Sequence, residues 1–404
     1  MTATAHNTDI PMPDPAALPL AGTRVVEFTH MVMGPTCGLL LADLGADVIK
    51  VEPPGGDATR RLLGSGAGFF PVFNRNKKSL AVNVKDPRGH EIVRRLVEGA
   101  DVFSENFKSG VMDGLGLGYE TLSELNPRLV YVSHKGFLPG PYENRTALDE
   151  VVQMMGGLAY MTGPPGQPRR AGSSVNDIRG GMFGAIGAMA ALAQREKTGR
   201  GRLVQSALFE NNVFLVAQHM MQFAVTGRPA APMPARVSAW GIYDVFTVQG
   251  GEQIFLAVVS DTQWTLFCEA FGLDDLRADE RLASNNQRVG ARDWLLPQLR
   301  EHLSRFGVQE VADTFERYGL PYARITRPED LFQDPHLLAT GGLSPVTLPD
   351  GQQTLTPLLP VALDGQRLPV REPPPATGQH TTEILRSIGY LDGEIDALRS
   401  AGVI

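Results

Sequence analysis

Cysteine is almost missing from this 404-residue chain, which holds only Cys37 and Cys268. Two separated thiols make neither a disulfide framework nor a zinc-spaced cluster, so the sequence fits a reducing compartment and predicts no metal site. Long apolar runs are missing as well. No stretch of about 18 uninterrupted apolar residues occurs, and the opening MTATAHNTDIPMPDPAALPL has neither the basic start nor the apolar run of a signal peptide. These absences predict a soluble, cytoplasmic protein with no membrane partner. Basic charge is not in excess either. The chain has 37 Lys and Arg against 44 Asp and Glu, a net charge of −7, which gives no general reason to approach nucleic acid. Familiar catalytic signatures are also absent. There is no G-x-x-x-x-G-K-[ST], no H-E-x-x-H and no G-x-S-x-G, so the common nucleotide-triphosphatase, metalloprotease and serine-hydrolase readings fail.

What is present reads as an ordinary globular composition on a chain too long for one small core, so two domains are expected. Residues 1–19, rich in Pro, Ala and Thr, read as a loosely held arm. The β-branched run 24–28 predicts a buried strand, 34–44 a helix and 47–52 a second strand. The alternation continues with strands at 79–84, 101–105 and 129–133 and helices at 86–99 and 119–126. Such alternation implies a mostly parallel, helix-covered sheet, an α/β fold. Beyond Gly172 come two long, weakly polar helical stretches, one ending at KTGRG and one running from Ser206 to about Val225. The Gly and Ala content of the first predicts close packing against another backbone. Residues 229–236 read as a linker. A strand pair at 241–248 and 253–259 and several helices then predict a smaller α+β domain, and a last helix is expected at 381–388.

Several polar residues invite functional readings. The turn FTHMVMGP has one glycine where a dinucleotide fingerprint needs three, so nicotinamide binding is set aside although Glu52 ends the second strand. The basic run NRNKKS, 74–79, could meet phosphates, but such runs usually face water and a solvated loop is the simpler expectation. His30 is either an acid, base or ligand or a hydrogen-bonded structural histidine, and the second reading is simpler. Asp177, in SSVNDIRGG, precedes a helical run whose free amides favour an ionised carboxylate. By physics alone it reads as a helix cap before it reads as a catalyst.

The blocks LAGTRVVEFTHMVMGPTCGLLLADLGADVIKVEPPGGDATR, FNRNKKSLAVNVKDPRG, REKTGRGRLVQSALFE and PPPATGQHTTEILRSIGYLDGEIDALRSAGVI, in that order, resemble the family III CoA-transferases. The resemblance runs from Leu20 through nearly the whole chain. It implies a large Rossmann-like domain built from residues 20–225 and a return segment, 336–404, with a small α+β domain, 226–335, between them. It also implies an obligate homodimer of two chains interlocked like linked rings. The implied substrates are an acyl-CoA and a small carboxylic acid, with no permanently bound cofactor beyond the coenzyme A that passes through.

Within that resemblance Asp177 falls at the family's nucleophile. The CoA contacts fall on Met31 and Val32, on 82–85 with Val82 and Lys85, on Asn106, Phe107 and Lys108, and on Lys135, Gly136, Phe137 and Leu138. Lys85, Lys108 and Lys135 would meet phosphates, and Asn106 the adenosine end. His30, Arg60, Arg145 and Arg236 are candidates to face the acceptor acid. Three departures stand out. Pro53 and Gly114 occupy positions where formyl-CoA transferase has arginine, so Arg60, Arg75 or Lys108 is expected to replace part of the phosphate grip. Val32 stands where that enzyme has glutamine, and no glycine-rich loop is evident in PARVSAWGIYD.

The implied chemistry is transfer through a mixed anhydride and an aspartyl-CoA thioester, with backbone amides at Gly180 and Gly181 as candidate oxyanion donors. The related α-methylacyl-CoA racemase is an alternative, opposed by Leu148, which stands where that enzyme needs a proton-transferring histidine. A non-catalytic CoA-binding protein is the other, opposed by the retained Asp177.

Overall fold

The computed structural model describes residues 14–236 and 238–404. Most of the expected arm, 1–13, lies outside the described residues. Its remainder is tied down: Asp14 caps a turn of 3-10 helix at Pro15–Ala17, and Leu18 is buried against Gly45. The chain divides into two compact units. One comprises the described residues up to Pro234 together with Pro335–Ile404, the other Ala235–Asp334.

The first unit is built on a six-stranded sheet. Its strands are β1 (Arg24–Phe28), β2 (Asp47–Glu52), β3 (Lys77–Ala81), β4 (Val102–Glu105), β5 (Val130–Lys135) and β6 (Leu203–Ala207). Every pairing is parallel, so each return needs a crossover. Among its helices are α1 (Met33–Asp43), α2 (Pro87–Glu98), α3 (Tyr119–Leu125), α4 (Asp149–Met155), α5 (Val175–Thr198) and α6 (Leu208–Thr226). Where the local chemistry is plain, so is the boundary: Asp86 caps α2 through the amide of Arg88, and Pro87 opens it.

Alternating strand residues bury both faces. Val26, Phe28, Ile49 and Val51 meet Ile92 and Leu96 of α2 and the tail residues Ile384, Leu385, Ile395 and Leu398. Val25, Val48, Val102 and Val130 meet Cys37 and Leu41 of α1 and Ala185 and Ala188 of α5. At about 1.5–3 kcal/mol for each large apolar side chain buried, these two layers carry the unit. The tail is therefore part of the core that β1 begins.

The sheet order is β3-β2-β1-β4-β5-β6. It reverses between β1 and β4, and in such doubly wound sheets ligands bind outside the carboxyl ends of the strands at that reversal. The return segment covers the β3 edge. Glu372 O accepts the Asn76 amide at 2.9 Å and Ser79 O accepts the His380 amide at 3.1 Å, which removes the hazard of an open edge.

The run 74–79 is not a solvated loop. Asn74, Arg75, Asn76, Lys77 and Ser79 are buried, because β3 and the turn before it lie against carboxylates: Lys77 pairs with Glu27 at 2.7 Å and Arg75 with Asp43 at 2.7 Å. Strand β6 is also unforeseen. It lies where the sequence suggests only a loop and the start of α6, because LVQSA is short and half exposed.

The second unit has an antiparallel sheet of Ile242–Thr247, Gln253–Val258 and Tyr322–Arg324. Helices Asp261–Ala270, Arg292–Leu303 and Val308–Arg317 cover it, with Phe246, Leu256, Phe267, Leu299 and Phe315 in the core. No helix among the described residues is long and apolar enough to cross a membrane. No group of three or more His, Cys, Asp and Glu among them is placed to hold a metal.

Candidate active site

The four expected CoA segments share one edge of the sheet. Residues 30–32 follow β1, 82–85 follow β3, 106–108 follow β4, and 135–138 end β5. Because Phe28 of β1 lies in register with Glu105 of β4, the first and third segments flank the reversal of strand order. Asn106 bridges them, its amide donating to His30 O at 2.8 Å and its carbonyl accepting the His30 amide at 3.0 Å. That side chain holds backbone and is not presented to adenosine. The His30 ring meets Phe107 edge-on at 5.2 Å. Burial holds its pKa below the ordinary histidine value against the pull of Asp57. Met31 is exposed, and Val32 is buried at the start of α1.

Several expected phosphate or carboxylate ligands have other work. Lys135 pairs with buried Glu105 at 2.9 Å and donates to Phe107 O at 2.7 Å. Arg60 forks onto Glu52 at 2.8 and 2.6 Å and stacks over Phe70 at 3.7 Å, so its guanidinium is already paired. Arg75 is sealed against Asp43. Of the three replacements expected for the missing arginines, Lys108 alone is exposed. Lys85 is exposed as well, and Val82 is buried with its amide on Glu52 O at 2.9 Å. Gly136 lies against Ala147, Phe137 packs on Tyr142 and Phe209, and the Leu138 amide reaches Glu210 at 3.2 Å. Arg145 is exposed over the Tyr142 ring at 4.9 Å. Arg236 belongs to the second compact unit.

Asp177 does not precede its helix but lies inside the first turn, since α5 begins at Val175. Helices α1 and α5 both run counter to the parallel strands, so both N-termini emerge at the edge just described. They pack closely. A Cβ on Gly180 would come within 2.5 Å of the Met33 side chain, and one on Gly181 within 2.4 Å of Met33 O. Asp177 lies one turn before these glycines on the same helix. The glycines thus serve helix contact rather than ligand access. Their amides, inside the helix, are taken by its own carbonyls, which withdraws them as oxyanion donors.

The Ser174 side chain makes no capping bond, and α5 is capped from α4 instead. Asp149 Oδ2 accepts the amides of Asn176 at 2.7 Å and Asp177 at 3.1 Å, while Gln153 donates to Asp149 Oδ1. The Asn211 side chain donates to Asn176 O at 2.8 Å, and the Asn176 side-chain Nδ2 donates to Asn212 Oδ1 at 3.0 Å. All five of these polar residues, Asp149, Gln153, Asn176, Asn211 and Asn212, are buried, so the start of α5 is fixed by a polar frame. Burial first, then the charges of Asp149 and Glu150, push the half-buried Asp177 carboxyl up to about 7. A carboxylate so destabilised is more basic, and more nucleophilic, than an exposed one. Sequence reasoning weighed Leu148 and passed over its neighbour Asp149. The available signal was the run of amides and carboxylates set into otherwise apolar helices at 149–153 and 210–212.

Residues 20–381 match CoA-transferase family III. The chain is 32% identical to the succinyl-CoA:glutarate CoA-transferase of Homo sapiens over 96% of this chain and 90% of that protein. It is 33% identical to a succinate–glutarate CoA-transferase of Agrobacterium fabrum over 95% of this chain and 98% of the relative. Among solved structures, a CAIB/BAIF family protein from Brucella suis superposes with a TM-score of 0.83 at 33% identity, covering 92% of this chain and 99% of its own. The family match over residues 20–381 and relatives about a third identical over nearly the whole chain lead to one conclusion: the chain is an enzyme that belongs to CoA-transferase family III.

Proposed function

We propose that this enzyme moves CoA from an acyl-CoA, succinyl-CoA in the first place, to a free carboxylic acid, with Asp177 as covalent nucleophile. What supports this reading is the half-buried Asp177 carboxyl, joined by no ion pair among the described residues, in the first turn of a helix that packs on the start of α1, where burial and acidic neighbours raise it. The names of relatives, among them succinyl-CoA:glutarate and succinyl-CoA:mesaconate CoA-transferases, support succinyl-CoA as donor. The Asp177 carboxylate attacks the donor thioester, giving a mixed anhydride and CoA thiolate. The thiolate then attacks the Asp177 carbonyl, releasing the first acid and leaving an aspartyl-CoA thioester. The acceptor carboxylate reverses both steps. One thioester is exchanged for another, so no ATP is consumed. Lys85 and Lys108 are the cations offered to CoA phosphates, and Arg145 the one offered to the acceptor. The working form is a cytoplasmic homodimer.

The test is Asp177→Asn, which keeps the shape and removes the nucleophilic oxygen. Turnover should fall by about 10³-fold or more with folding intact. Wild type given succinyl-CoA without acceptor should accumulate a hydroxylamine-sensitive CoA adduct on the peptide containing Asp177. Near-normal transfer by the variant, or an adduct on Asp149 or Glu150, would overturn the assignment.

A further inference from the structure

Met31 adopts φ 61°, and the other non-glycine residues with positive φ among those described are Asn76 and Asp364. Asn and Asp tolerate this left-handed conformation through their short polar side chains. Met has no such help, and the conformation costs it roughly 1–2 kcal/mol. A cost of that kind persists where surrounding structure enforces it.

Here the enforcement can be traced atom by atom. The Met31 amide donates to Thr59 Oγ1 at 2.9 Å. That hydroxyl donates in turn to Asp57 Oδ1 at 2.8 Å, which also accepts the Thr59 amide at 2.9 Å. Asp57 Oδ2 meets Lys50 at 3.0 Å, and Lys50 donates to Thr29 O at 2.6 Å. Lys50, Asp57 and Thr59 are all buried. The chain of contacts leaves the backbone at residue 29 and returns to it at residue 31. Asn106 holds residue 30, between them, from the other side. Three successive residues at the end of β1 thus have their backbone held by side chains of the protein.

We infer that Thr59 is a positioning residue: acting through Met31, it fixes the orientation of the loop 30–32 against which the acyl-CoA thioester is aligned with Asp177. This rests on the site proposed above. With the hydroxyl in place the loop is preorganised. Without it the Met31 peptide relaxes toward ordinary φ, and α1 no longer begins at the same place beside α5. The effect on reaction should be geometric, since small misplacements in a reacting pair are costly in rate.

Thr59→Val keeps the shape and deletes the hydroxyl, while Thr59→Ser keeps the hydroxyl. Hydrogen exchange across residues 29–33 and steady-state kinetics with succinyl-CoA are to be measured on the full chain. Thr59→Val should speed exchange of that segment and lower kcat about 10-fold, with the melting temperature little changed, and Thr59→Ser should restore both. Unchanged exchange in Thr59→Val overturns the brace. So does faster exchange with unchanged kcat, or a loss that Ser does not restore. Activity that falls only in proportion to the folded fraction makes the residue merely structural and also overturns it. A wild-type enzyme that transfers no CoA sinks the site reading instead, and the exchange measurement then still decides whether Thr59 holds the loop.

Discussion

Asp57 and Asp177 stand at the same edge of the sheet in opposite company. Around β1–β3 buried charge comes with its counter-charge: Lys50 meets Asp57 at 3.0 Å, Lys77 meets Glu27 at 2.7 Å, and Arg60 forks onto Glu52. Burial pushes the Asp57 carboxyl up, but Lys50 and the Thr59 amide outweigh it and hold the group below the usual range. Asp43 marks the limit of such pairing, because there burial outweighs Arg75 and the carboxyl stays raised. At the start of α5 no ion pair joins Asp177 among the described residues. Asp149 is tied to amides and Glu150 to Arg170. Carboxylates in the first region are struts, whereas in the second one is left with its charge uncompensated, as a reactive group requires.

The comparison is tested most severely at Lys77. Its replacement by Met leaves Glu27 buried and unpaired, which should cost about 3–5 kcal/mol in urea unfolding. Adding Glu27→Leu should recover most of that loss. A single variant within about 1 kcal/mol of wild type would show that the pair is not structural.

Asp149 is the link between the two kinds of site, since it caps a helix and also charges its neighbour. Asp149→Ala strips the Asn176 and Asp177 amides of their acceptor and should cost about 1–3 kcal/mol. Asp149→Asn keeps an acceptor and removes the charge. In free wild type the acid limb of kcat/KM for succinyl-CoA should lie near 7, the value to which burial and its neighbours push Asp177. In Asp149→Asn it should move to lower pH. An unmoved limb would assign that titration to another group.

How much of this was readable in advance depended on whether the cause was local. Strands β1, β2, β4 and β5 announce themselves through β-branched runs, and α2 through Asp86 and Pro87. The strand order does not, because pairing over long sequence distances leaves no local trace. Arg75 and Lys77 look like a solvated basic loop until Asp43 and Glu27 arrive from elsewhere in the chain. Asp177 was singled out through family likeness, not through its spacing. Its ionisation was not legible, since that depends on Asp149, 28 residues away. Lys135 and Arg60 were offered to ligands, and their partners Glu105 and Glu52 could not be read from a linear pattern.

The smallest expected effect is the one that most directly sharpens the contrast, because it asks whether the Asp177 charge strains the fold. In the unfolded chain this carboxyl ionises near 3.8, and in the folded protein burial, Asp149 and Glu150 raise it to about 7. The folded state therefore holds its proton more tightly. Stability from this group is complete below the unfolded value and is lost as pH rises through the folded one. Asp177→Asn has no proton to lose. Relative to wild type it should gain nothing near pH 4, gain progressively up to about pH 7, and level off by pH 8. Asp57→Asn should behave in the opposite sense, losing stability at pH 8 because Lys50 is left without its partner. Urea unfolding of both variants at pH 5 and pH 8 reads the difference directly. Equal stability of Asp177→Asn and wild type at both pH values would mean that the charge of Asp177 is compensated after all.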